Sequence, residues 1–209
     1  MQFVASVPAS SFIPAAIEYG ADIIEVRLDL TGPFFPEEAK ATFQDIPVPL
    51  IFTVRSTAEG GMFSGGAKEW WDLVQPCLPY ATFIDVERSF RSFAPLLKDG
   101  KKTIIASFHT RSMPDMGSLE EIRRDLAAFG DIPKIVVEPR SEEDVLSLLS
   151  FTLRAEKPVI TSIMGSRFSF ARLMLPFFGS SFIYCHAGSP AAEGQIHISR
   201  AREIMGMFR

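Results

Sequence analysis

Short apolar or β-branched runs recur near residues 2–6, 22–29, 49–55, 82–87, 102–108, 133–138, 157–162 and 181–185, and each is followed by a stretch of helical character. The helical stretches include "AKEWWDLVQPC", "SLEEIRRDLAAFG", "SEEDVLSLLSFTLRAE" and a final "HISRAREIMGMFR". Several carry end signals: Ser118 ahead of Glu120 and Glu121, Ser141 ahead of Glu142 and Glu143, and Gly20, Gly100 and Gly130 where helices stop. Eight strand–helix units in strict alternation predict an α/β fold, a closed (β/α)8 TIM barrel. At 209 residues the chain is shorter than the roughly 250 typical of that fold, so residues 1–209 are expected to form a single compact barrel with short loops. No linker, low-complexity segment or fixed-period repeat divides it.

Function classes narrow by charge and by cysteine usage. A balance of 21 Lys+Arg against 25 Asp+Glu gives a net charge of -4, which argues against a nucleic-acid surface, so any anion site must be local. Cys77 and Cys185 match no metal spacing and do not make a disulfide framework, which fits a reducing cytosol. The N-terminus lacks a basic region plus apolar core and no apolar stretch reaches membrane-spanning length, so the expectation is a complete, cytoplasmic chain.

Active sites of such barrels lie at the C-terminal ends of the strands, and charged residues gather there. In "ADIIEVRLDL", Glu25, Arg27 and Asp29 share one face of the second strand while Ile24, Val26 and Leu28 share the other. Alone, that alternation describes a half-exposed antiparallel strand equally well. In a parallel barrel both faces are covered, so the charged face must point into the lumen, as a polar floor suited to a hydroxylated ligand. The third strand ends at Arg55, with Glu59 four residues on in a loop that Gly60, Gly61, Gly65 and Gly66 are expected to make mobile. Asp85 and Glu87 repeat the charged parity on strand four, as structural partners or as supporting acids.

Strand five ends in His109, and strand six, "PKIVV", carries Lys134 inside an apolar run. A lysine there either marks the start of the strand and snorkels to water, or is buried for a chemical reason. A desolvated lysine can lose its proton near neutral pH and attack a carbonyl to form a Schiff base. A neighbouring His109 could shuttle protons, with Glu59 orienting it. Further on, Arg172 suits a carboxylate and Gln195 a hydroxyl, in a small-residue loop between Ala187 and Gln195 that could close over a ligand. His186 and His197 read as structural or surface residues. No GxGxxG or Walker pattern accompanies the glycines, so no nucleotide is implied.

In order along the chain, "GADIIEVRLD", "FTVRSTAEGG", "IIASFHT", "PKIVVEP", "ITSIMG", "FARLMLPFFGS" and "EGQI" together resemble the type I 3-dehydroquinate dehydratases, the Schiff-base lyases of the shikimate pathway to aromatic amino acids. The resemblance implies a barrel hydro-lyase that converts 3-dehydroquinate to 3-dehydroshikimate with no metal and no organic cofactor, and it allows a homodimer. By resemblance Lys134 is the Schiff-base lysine, His109 the general acid/base and Glu59 the acid that positions the histidine. Glu25, Arg27, Arg55 and Gln195 then match positions that bind ring hydroxyls, Arg172 rather than Arg167 the arginine that grips the carboxylate, and Ser6 a substrate-contacting serine.

Three positions depart from the family pattern: Ala191 where a serine is usual, Thr110 after the histidine, and Glu193 where a proline precedes "GQ". Each is expected to alter affinity or histidine orientation rather than chemistry. The readings left beside this one are another Schiff-base barrel lyase of aldolase type, against which "MGSRFS" is a poor phosphate cradle, and a catalytically silent barrel that binds a shikimate-like metabolite.

Overall fold

The computed structural model describes residues 1–208. Eight strands, β1 (Gln2–Val7), β2 (Ile23–Arg27), β3 (Leu50–Thr53), β4 (Phe83–Glu87), β5 (Thr103–Thr110), β6 (Ile132–Val137), β7 (Ile160–Ile163) and β8 (Phe182–His186), form one parallel sheet in the order β7-β6-β5-β4-β3-β2-β1-β8. The helices are α1 (Ile13–Glu18), α2 (Leu28–Thr31), α3 (Pro36–Phe43), α4 (Ala67–Val74), α5 (Ala94–Asp99), α6 (Met116–Ala127), α7 (Glu142–Arg154), α8 (Ala171–Met174) and α9 (Ile198–Gly206), with 3₁₀ turns between several of them. The sheet curls into the expected (β/α)8 barrel.

All eight expected strands are present, and the differences lie at their ends. β2 stops at Arg27, and Asp29, expected on the same strand face as Glu25 and Arg27, lies instead in α2. From there its carboxylate takes Arg27 Nε at 2.8 Å and Nη2 at 2.7 Å. β5 runs on to Thr110, so His109 is part of the strand. Asp115 rather than Ser118 caps α6: its Oδ1 accepts the Ser118 N–H at 2.8 Å. Ser141 caps α7 as expected, accepting the Asp144 N–H at 3.2 Å while Asp144 accepts the Ser141 N–H at 3.2 Å. Caps of this kind stabilise a helix by about 1 kcal/mol.

The outward strand faces pack against the helices. Leu119 and Leu126 of α6 and Val145, Leu148 and Leu149 of α7 bury against Ala106, Ile135 and Val137. Inside the barrel, two-residue alternation sorts the side chains by height. One inward position of each strand is apolar, Val4, Ile23, Ile51, Phe83, Ile105, Ile132, Ile160 and Phe182, and together they close the floor. The next inward position is polar in every strand: Ser6, Glu25, Thr53, Asp85, Ser107, Lys134, Ser162 and Tyr184. Above them stand Arg27, Arg55, Glu87 and His109. A barrel filled by aliphatic layers would be more stable, so this exchange of hydrophobic for polar filling marks the upper half as functional.

No ladder pairs β7 with β8 among the described residues. Ser180 bridges the seam: its Oγ accepts the Thr161 N–H at 3.0 Å and faces the Thr161 carbonyl at 3.1 Å, and Ser181 N–H reaches Val159 O at 2.9 Å. Among the described residues no helix is long and apolar enough to cross a membrane.

Candidate active site

Lys134 does not snorkel to solvent; it is 4% exposed at the centre of the lumen. Its Nζ donates to Asp85 Oδ2 at 2.9 Å and lies 3.7 Å from Glu25 Oε1. Register explains the first contact, because Ser107 is the partner of Lys134 on β6 and its hydroxyl donates to Asp85 Oδ1 at 2.6 Å. Burial opposes ionisation of Asp85, but Arg55, Lys134 and His109 together with the Ser107 hydrogen bond outweigh it and hold the carboxyl well below its ordinary range. Of the two roles considered for Asp85, the structure thus adds a direct one, as the counter-ion of Lys134.

Arg55 is the hub of the acids. Its Nη2 reaches Asp85 at 2.7 Å, and its Nη1 reaches Glu87 at 2.8 Å, Glu59 at 3.1 Å and the Ser107 hydroxyl at 3.1 Å. Burial works against its charge, yet Asp85, Glu87, Glu59 and Glu25 hold the guanidinium well above its ordinary range. The turn after β3 brings Glu59 back to this hub. Gly60 takes φ +87°, and a side chain at Gly61 would meet the Arg55 carbonyl at 2.1 Å, so backbone approach here requires glycine. The expected glycine-bearing loop is therefore drawn close against Arg55.

Glu59 grips His109 twice through one oxygen: Oε2 accepts the His109 backbone N–H at 3.0 Å and lies 2.8 Å from Nδ1. The register β5–β6 sets His109 beside Val136, one inward step above Lys134. Burial first, then Arg55 and Lys134, push His109 well below its ordinary 6.5, which favours the neutral ring, while Glu59 engages its Nδ1. Burial also pushes the Glu59 carboxyl up to about 8, against the pull of Arg55. Thr110 takes no part in orienting the ring; its hydroxyl pairs with Ser112 at 2.9 Å.

Glu25 is held by the hydroxyls of Ser6 and of Thr53, the latter at 2.8 Å. Ser6 is therefore a support of Glu25, 1% exposed beneath the cavity. Glu25, Arg27, Arg55, Glu59, His109, Lys134, Arg172 and Gln195 line one cavity, together with Met164 and Tyr184. Arg167 lies outside it, exposed, with its guanidinium over the Phe168 ring.

The loop after β8 closes the top by its backbone. Arg27 donates to Ala191 O at 3.1 Å and Arg172 to Glu193 O at 3.0 Å, while Gln195 Oε1 takes the N–H groups of Ala191 at 2.8 Å and Ala192 at 3.2 Å. Gly194, at φ +74°, lies backbone to backbone against Gly165, where an added Cβ would stand 2.2 Å from a carbonyl. The Glu193 residue is exposed. His186 and His197 root the loop, with rings 5.1 Å apart and His186 N–H on Ile196 O at 3.1 Å.

Among the described residues Arg172 has no acidic partner. Its Nη1 reaches only Ser162 at 3.4 Å, its Nε is buried without a hydrogen bond, and burial pushes its pKa down to about 10. Three of the six buried side-chain atoms left unpaired among the described residues, Glu87 Oε2, Arg172 Nε and Tyr184 Oη, belong to this upper half of the lumen. A buried guanidinium without a counter-ion is costly in an unliganded fold and is suited to an incoming anion. Asp85 and Tyr184 are the site residues that the sequence did not single out as such.

The chain matches the family model of type I 3-dehydroquinase over residues 8–209. It is 42% identical over 208 residues to a 3-dehydroquinate dehydratase of Methanoregula boonei, covering 100% of both chains. It is 37% identical over 212 residues to one of Methanocella arvoryzae, covering 98% of this chain and 96% of the other. Its structure is similar to that of a 3-dehydroquinate dehydratase from Aquifex aeolicus, with a TM-score of 0.87, 29% identity, and coverage of 100% and 99% of the two chains.

Proposed function

The chain belongs to the type I 3-dehydroquinase family, and on that premise we propose how its residues dehydrate 3-dehydroquinate to 3-dehydroshikimate through a lysine Schiff base. The observation that carries the assignment of roles is the enclosed Lys134 nitrogen, 2.9 Å from Asp85, one step below a histidine that Glu59 holds by its Nδ1.

Lys134, as the free amine, attacks the C3 ketone, and loss of water leaves an iminium. That cation draws electrons from C2, whose proton passes to His109 Nε2. The electron pair left behind expels the C1 hydroxyl, which departs as water with a proton from His109. Addition of water then releases the product and restores the amine. Arg172 receives the carboxylate in exchange for the Glu193 carbonyl. Glu25, Arg27, Arg55 and Gln195 meet the ring hydroxyls, with Ser6 acting through Glu25. Holding the ring at both ends keeps proton, base and leaving group aligned. The whole chain serves as one catalytic domain, cytoplasmic, working alone or as a homodimer.

The test is incubation with 3-dehydroquinate and borohydride, followed by peptide mass spectrometry, beside an absorbance assay for the conjugated product. A ligand adduct on Lys134 with product formation is expected. Product without an adduct would move the covalent role away from Lys134, and neither, from folded protein, would leave a silent barrel.

A further inference from the structure

Tyr184 is the one aromatic member of the polar ring, and none of the steps above uses it. Its ring centroid lies 4.0 Å from Lys134 Nζ, so the ring is a third neighbour of the nitrogen beside Asp85 and Glu25. The ring is 7% exposed and its hydroxyl has no hydrogen-bond partner, so no polar contact of its own accounts for its place. Both carboxylates beside Lys134 are shared: Asp85 with Arg55 and Ser107, Glu25 with Ser6 and Thr53.

The chemistry gives the ring a task beside that of the carboxylates. An ammonium has three N–H donors, whereas an iminium formed with a ketone keeps its positive charge with only one. Asp85 and Glu25 still attract that charge, but only one N–H remains for them to share as the covalent intermediate forms. A π face attracts the charge itself and needs no donor. We infer that Tyr184 is a positioning residue whose ring face holds the Lys134 nitrogen in its cationic states, ammonium and iminium. This rests on the Schiff-base reading above.

The test replaces Tyr184 in the full-length enzyme by Phe and by mono-, di- and trifluorinated phenylalanines, which conserve the ring's shape while draining its face of negative potential. The initial rate of adduct formation with 3-dehydroquinate and cyanoborohydride is followed against pH. Weakening the hold on the ammonium frees the amine at lower pH. The half-rise of the trapping rate is thus expected to fall stepwise with each fluorine, by roughly half to one pH unit in all, with Phe itself close to the wild type. An unchanged half-rise across the series overturns the inference, as does a Phe variant displaced as far as the trifluorinated one, since the hydroxyl would then be responsible. Failure of the wild type to form any adduct would instead remove the Schiff-base reading, and this inference with it.

Discussion

Asp85 joins two buried cations of the barrel, holding Lys134 Nζ at 2.9 Å through Oδ2 and Arg55 Nη2 at 2.7 Å through Oδ1. It is 1% exposed, so neither pair is screened by water.

Asp85→Asn leaves both cations without their shared charge. Breaking a buried pair in this way costs about 3–5 kcal/mol, which for a chain of this size lowers Tm by roughly 10 °C. Because the folded state holds this carboxyl below its ordinary range, its contribution is present above about pH 4 and is lost as pH falls further. Melting curves between pH 3 and 7 should show that acid loss in the wild type and a shallower one in the variant.

His109→Ala removes the proposed proton carrier and leaves the proposed nucleophile in place. The adduct on Lys134 should still form, while kcat falls about 10²- to 10⁴-fold. In the wild type the depressed His109 keeps its base form below its ordinary 6.5, so the acid limb of kcat is expected below that pH. A limb above it would contradict the neutral buried imidazole.

Glu59→Gln tests a carboxyl raised from 4.5 to about 8. The folded state then binds a proton more firmly than the unfolded chain, so this group's contribution to stability is full below about pH 4.5 and is lost as pH rises through about 8. The amide cannot ionise. Relative to the wild type, the variant's Tm should therefore improve from pH 5 to pH 8, and a constant difference would rule out the raised carboxyl.

Arg172→Met should separate binding from folding. With no carboxylate paired to it and Nε unsatisfied, this arginine contributes little to the unliganded fold, so Tm should stay level or rise. Losing a charge-assisted grip on the substrate should lower kcat/KM by about 10²-fold. Calorimetry and steady-state kinetics on the same preparation check both halves.

The strands were legible because β-branched runs and strict alternation with helices leave few other folds for a chain of this length. The inward parity of Glu25, Arg27, Asp85 and Glu87 followed from counting in twos. That counting does not reveal where a strand stops. Asp29 carries the right parity for β2, yet the backbone has already turned into α2, and the side chain returns to clamp Arg27. Ser118 and Asp115 are both good caps in sequence, and only the backbone at Met116 decides between them. Asp85 could be recognised as a buried acid but not as the partner of Lys134, because that pairing arises from register across β4, β5 and β6. Tyr184 gave no signal at all: within "FIYCH" it reads as strand filling, and its contact with a residue 50 positions away exists only once the sheet has curled.

That curl is completed by a serine hydroxyl rather than by a ladder. Arg172 sits on the crossing between β7 and β8, and the loop carrying Glu193 leaves from β8, so the parts proposed to receive the carboxylate flank the join. A hoop fastened by a clasp changes girth at the clasp. Opening it a little disturbs the bonds of Ser180 and Ser181, whereas β5 and β6 are tied through six residue pairs. The strands that carry His109 and Lys134, β5 and β6, thus lie within the continuous ladder, and the join falls one strand beyond them, between β7 and β8.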